Sequence, residues 1–150
     1  MTDRAQIGYT TPASEAVVDA WRVRLFCQAI GEDDPVYTDP EAARRAGHPA
    51  CPVPPTFLKA LEGEHFSSAR LMTLLDVPLR QVLHAEQAFE HLAPLHVGDT
   101  VTIRRRVADI YDKKDGAMTF IVVDTTYAVA DRQVATSRQT ILVRNRVQAA

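Results

Sequence analysis

At 150 residues the chain has the length of one domain, large enough to bury a core of its own. It is 46% hydrophobic and 24% charged with a formal charge of -2, the composition of a soluble globular protein and not the basic excess of a nucleic-acid binder. The opening MTDRAQIGYT is polar and no run approaches the roughly 20 apolar residues of a membrane helix, so a cytoplasmic protein is expected.

Thr11-Pro12 has the pattern of an N-cap followed by proline in the first helical turn. Val18, Trp21, Leu25 and Ala29 then recur at helical spacing up to Gly31, which predicts an N-terminal helix with those residues on its buried face. From Glu32 to Thr56 the only periodic piece is a short turn of helix, Glu41 to Ala46, opened by Asp39-Pro40 and stopped by Gly47. A stretch of about 25 residues without a main element is unusual in a compact domain and marks a binding or lid region. Pro54-Pro55-Thr56 opens a second helix with Phe57, Leu58 and Leu61 as its apolar stripe; residues 67 to 81 read as a helical extension or a loop, ended by Pro78.

Beyond this the hydrophobic period changes from helical to two. Val82 to Ala93, Thr100 to Tyr111, Ala117 to Val129 and Val134 to Arg144 read as strands. The links HVGD, DKKDG and ADRQ are too short for parallel crossovers, so a four-stranded antiparallel meander is expected. One central helix followed by such a sheet defines an α+β layer, with the sheet's other face solvated or paired with another subunit. Cys27 and Cys51 form neither a metal motif nor a disulfide framework and are expected as buried, reduced thiols.

With this layout, GEDDPVYTDPEA (31 to 42) resembles the hydratase signature of the MaoC-like enzymes, which runs Asp-x-Asn-Pro-x-His in that family. Here the acid is Glu32, the Asn is Asp34 and the His is Tyr37. PPTFL (54 to 58), LHAEQAFEHLAPLHVGDTV (83 to 101) and ILVRN (141 to 145) extend the likeness over most of the chain. The resemblance implies a single hot-dog domain over residues 1 to 150: a curved antiparallel sheet around a central helix, with an additional N-terminal helix and an overhang segment. It implies a component of a (3R)-hydroxyacyl-thioester dehydratase or enoyl-thioester hydratase, the acyl-chain-binding half lacking the usual Asp/His pair. Its substrate would be carried on coenzyme A or acyl carrier protein, with no other cofactor and no metal. Its partner would be a homologous subunit bearing Asp and His, or a second copy of itself.

Moving water across the double bond beside a thioester requires a base, an acid and a donor for the enolate oxygen. Glu32 is the candidate base and Tyr37 the candidate acid; a free tyrosine, with a pKa of about 10, holds its proton at neutral pH. Asp34, Pro55, Thr56 and Phe57 are candidate substrate-binding positions. Pro55 falls where the self-sufficient hydratases present an oxyanion-binding backbone N–H, and proline has none; with the match shifted by one residue, the Thr56 N–H would take that place instead. Three other readings stand beside this one: a self-sufficient homodimeric hydratase using Glu32 and Tyr37, a thioesterase using Glu62 or Glu64, and a non-enzymatic acyl-thioester binder.

The plainer readings are structural. Glu62 and Glu64 are by default surface helix acids. Arg104 and Arg106 share one face of a strand and read as a solvated sheet face, or, with Arg144 or Arg146, as a patch for coenzyme A phosphates or an acidic carrier. His84, His91 and His96 have no metal-ligand spacing and read as surface or pocket-wall residues.

Overall fold

The computed structural model describes residues 4–63 and 67–145. Its frame is one five-stranded, wholly antiparallel sheet in the order β1-β3-β4-β5-β2, with β1 at Ser14–Val17, β2 at Val82–His91, β3 at Thr100–Lys113, β4 at Met118–Val129 and β5 at Arg132–Arg144. The helices are α1 (Ala20–Ile30), α2 (Pro40–Arg45), α3 (Leu58–Glu62) and α4 (Ser68–Leu74). This is the hot-dog arrangement: α3 and α4 lie in the concavity of the curved sheet. Phe57, Leu58 and Leu61 pack on Val101, Ile103 and Tyr127, while Leu71, Met72 and Leu75 pack on Val107, Ile121, Val123 and Ile141.

Two expectations fail here. The N-terminal helix does not begin at Pro12. Ser14–Val17 instead forms β1 on the open edge of β3, tied in by Thr11 N–H donating to the Arg105 carbonyl (2.8 Å) and by Arg105 N–H donating to Thr11 Oγ1 (3.1 Å). Ala16 and Val18 are buried and Glu15 and Val17 exposed, a period-two pattern that the helical reading obscured. The helix starts only at Ala20, and it buries Val23 and Cys27, while Trp21 and Leu25 stand 62% and 58% exposed. Its buried face is therefore nearly opposite to the one expected.

The meander is also incomplete. β3, β4 and β5 follow one another as hairpins, but β2 pairs with β5 and not with β3. The link of residues 92–99 crosses the ends of two strands, a gap of about 14 Å at three strand spacings, well within reach of eight extended residues. Short length excluded a parallel crossover but not this antiparallel one. Leu95 is buried beneath the link, and Val53 N–H donates to Leu95 O and Val97 N–H to Cys51 O, so the Pro-rich approach to α3 is stitched to it. His48 Nδ1 and His96 Nε2 lie 3.2 Å apart at the same seam.

The second half of α1, the short helix α2 and the approach to the central helix match the sequence reading. Gly31 takes φ 72°, a left-handed conformation suited to glycine, and its amide and that of Glu32 close α1 on Gln28 and Cys27. Asp39 caps α2 through Glu41 N–H at 2.9 Å. Pro55–Phe57 forms a 3-10 turn leading into α3. Both cysteines are buried, as expected.

Candidate active site

The overhang between α1 and α2 carries three of the candidate residues. Glu32 Oε1 accepts a hydrogen bond from Asp34 N–H at 3.0 Å, and Asp34 Oδ1 accepts one from Val36 N–H at 2.9 Å, capping the 3-10 turn Pro35–Tyr37. This nested pair of side-chain turns is what the acid-rich GEDDPVY stretch encodes. Tyr37 is half-buried and packs against the core cluster holding Cys27, Phe57 and Leu58. Burial pushes its hydroxyl above the ordinary tyrosine range, and the negative charges of Glu32 and Asp34 push it further the same way. Cys27 is likewise raised, by burial and then by the Glu32 charge.

The second part lies at the head of the central helix. Pro55 and Thr56 are exposed, whereas Phe57 is 1% exposed, its ring edge-on to Phe26 at 5.4 Å. Pro55 supplies no N–H, so Thr56 carries the first amide of the turn. Pro55 also lines an open apolar groove of about 330 Å³, walled by Pro52, Val53, Leu58, Leu92 and Leu95 and by the strand end at His91. Among the described residues no hydrogen bond joins Tyr37 or Glu32 to Pro55 or Thr56. The two halves share the core cluster beneath them but not a polar contact.

The sequence reading missed a third feature. Glu62, expected as a surface acid, is 4% exposed and sits under the sheet. Its Oε1 accepts hydrogen bonds from the Tyr127 hydroxyl and from Ser137 Oγ (2.8 Å), and its Oε2 accepts one from Lys59 Nζ at 2.5 Å. Gln139 Oε1 accepts from Lys59 Nζ (3.0 Å) and Arg105 Nη2 (3.1 Å), and Arg105 Nη2 stands 3.9 Å from Glu62. Burial pushes the Glu62 carboxyl up, but the Lys59 ion pair and the bonds from Lys59 and Tyr127 outweigh it and hold the group below its usual range. Burial and Glu62 together push the Tyr127 phenol far upward. The signal was present: Arg105 lies between exposed Arg104 and Arg106 on a strand, so its side chain had to point inward and needed an anion there. Glu64, the other acid proposed for this helix, and Arg146 lie outside the described residues.

Other expectations divide. Arg104 and Arg106 are exposed on the outer face, as expected, but Arg144 is six residues beyond the Arg138 level on β5, about 20 Å along the strand, so they form no common patch. His84 and His91 are exposed, and His91 lines the groove; His96 is half-buried against His48. No helix of the described residues is long and apolar enough to cross a membrane.

Residues 5–137 match the FAS1-like dehydratase domain region, and the chain belongs to that family. Among curated relatives it is 32% identical to a UPF0336 protein of Clavibacter michiganensis, covering 88% of each chain, and 32% identical to a UPF0336 protein of Thermobifida fusca, covering 82% of this chain and 80% of that one. Solved structures support the hot-dog fold. The C-terminally truncated HadBC (3R)-hydroxyacyl-ACP dehydratase complex of Mycobacterium tuberculosis matches with TM-score 0.80 at 21% identity, over 91% of this chain and 96% of that one. The ChsH1-ChsH2 complex of the same organism matches at 0.75 and 22%, over 97% and 89%. The (R)-hydratase of A. caviae matches at 0.71 and 18%, over 90% and 94%.

Proposed function

We propose that the chain is the acyl-chain-binding half of a two-subunit (3R)-hydroxyacyl-thioester dehydratase, its substrate carried on coenzyme A or acyl carrier protein, and that it is weak or silent alone. The observation carrying this reading is the state of Tyr37. At the place where the resembled signature has a histidine stands a phenol pushed above its ordinary range by burial, Glu32 and Asp34. A general acid or base near neutral pH works best with a pKa near the operating pH, and this group is displaced further above it. Glu32 caps its own turn through Asp34 N–H, and Pro55 withholds the backbone donor that would meet the enolate oxygen.

The missing groups would come from a homologous subunit bearing Asp and His. Supporting this, β2 is a ten-residue strand at the edge of the sheet, exposed along most of its length, and Leu92 just past its end is 53% exposed. Such an edge is a template for antiparallel extension by another strand. The apolar groove opens beside the end of β2, where a partner pairing there would roof it and leave a channel for an acyl chain. HadBC and ChsH1-ChsH2 are themselves complexes of two different subunits.

The thioesterase reading through Glu62 is weaker, because both of its oxygens are engaged by Tyr127, Ser137 and Lys59 in a site closed to solvent. The test is co-expression with a MaoC-type subunit that carries the Asp/His pair. The expected result is a stable pair whose hydration activity requires the partner's acid and base and tolerates Glu32→Gln here, with Leu92→Trp shifting preference toward shorter acyl chains. A pair that forms but whose chain-length preference ignores Leu92→Trp would remove the acyl-binding role.

A further inference from the structure

Among the described residues no helix covers the outer face of the sheet, yet one row across it is apolar on four adjacent strands. Tyr111 pairs with Phe120, Phe120 with Leu142, and Leu142 with Leu83, in the order β3-β4-β5-β2. Tyr111 and Phe120 stack at 5.2 Å and 7°. Met118 and Val122, one step to either side on β4, continue the patch along the strand, and like Tyr111, Phe120 and Leu142 they are half-buried with no helix above them.

The charges flanking this row are sorted by sign. On the Met118 side the cross-strand neighbours are Lys113 and Arg144; on the Val122 side the row reads Asp109, Val122, Thr140, Glu86. All four charged residues are exposed. Lys113 Nζ stands 5.6 Å and 5.1 Å from the Tyr111 and Phe120 ring centres, so the cation already leans over the apolar row.

We propose that this face binds a second copy of the same chain, sheet back to sheet back, about a two-fold axis running along the Tyr111-Phe120-Leu142-Leu83 row. Such an axis leaves each strand above its own counterpart and reverses the strand direction. Phe120 then meets Phe120 of the second copy, Lys113 stands opposite Asp109, and Arg144 stands opposite Thr140 beside Glu86. The match is self-complementary, as a two-fold interface requires. At about 4.8 Å per strand and 6.8 Å per two residues, three rows on four strands cover about 400 Å² per copy, half of a standard interface, which sets the association in the weak, reversible class. The contact uses neither the free edge of β2 nor the groove, so it is compatible with a subunit paired there and independent of that pairing.

Sedimentation velocity over a concentration series tests it. The expected result is reversible doubling of the basal unit's mass, weakened about tenfold by Lys113→Glu/Arg144→Glu and again by Asp109→Lys/Glu86→Lys, and restored when the two variants are mixed. These positions are exposed, and circular dichroism checks that the fold is kept. A wild-type protein that never exceeds its basal unit, or charge-reversed variants that double as tightly as wild type, would overturn the proposal; loss of β2 pairing would instead change the basal unit itself.

Discussion

Tyr127 donates its hydroxyl hydrogen to Glu62 Oε1, joining the C-terminal part of β4 to the central helix where neither residue meets solvent. With Ser137 and Lys59 completing the carboxylate's partners, this is the polar keystone of an otherwise apolar interface. Removing one member leaves the others buried and unsatisfied. Glu62→Gln is expected to lower unfolding free energy by about 2–4 kcal/mol and Tyr127→Phe by about 1–3 kcal/mol. The two losses should be less than additive, because both break one bond. Denaturant midpoints of the two single variants and the double variant check this.

The same carboxyl governs acid stability. Its folded value lies below the ordinary glutamate value. The unfolded state therefore binds more protons in the acid range, and stability rises with pH there. Glu62 contributes fully above its unfolded pKa of about 4.3, and the contribution is lost as pH falls through the lower folded value. Denaturant midpoints measured from about pH 6 to pH 3 should fall steeply in wild type and less steeply in Glu62→Gln. Parallel slopes would remove Glu62 from the account.

Trp21 is the single tryptophan, and it stands 62% exposed on α1 beside a groove of about 300 Å³ formed with Leu25, Phe26, Ala29, Phe57 and Ala60. Its fluorescence in the isolated chain is expected to resemble that of tryptophan in water and to be quenched readily by acrylamide. A blue-shifted, protected signal in dilute solution would mean that α1 buries the face first expected from its sequence.

How much was legible follows from which signals were local. Gly31, Asp39-Pro40 and Pro54-Pro55 are chemical punctuation, and the structure uses them at those positions. The hairpins β3-β4 and β4-β5 are set by turns of a few residues. By contrast, β1 exists because β3 has a free edge, and β2 sits beside β5 because a link of eight residues can cross two strand ends; both are decided by partners far away in sequence. The stripe Trp21/Leu25 competed with Val23/Cys27 at the same helical spacing, and only the packing against β1 and the overhang chose between them. Within the site, the Glu32-Asp34 turn was readable from residue types, whereas the burial of Glu62 was readable only through the inward parity of Arg105.

Restoring the histidine alone should not restore chemistry. Tyr37→His provides a group that titrates near neutrality, but Pro55 still offers no N–H. The single variant is expected to stay near background, and Tyr37→His/Pro55→Gly to exceed it by about 100-fold or more, the worth of one oxyanion donor. Equal activities in the two variants would show that position 55 supplies no donor to the reaction.

The most direct test of the whole account is turnover by the chain on its own. Purified without any homologous subunit and given crotonyl-coenzyme A, it is expected to leave the enoyl absorbance unchanged above the uncatalysed rate, because the Tyr37 phenol keeps its proton and no imidazole replaces it. A rate proportional to its concentration, abolished by Glu32→Gln, would contradict that claim and make the chain an enzyme in its own right.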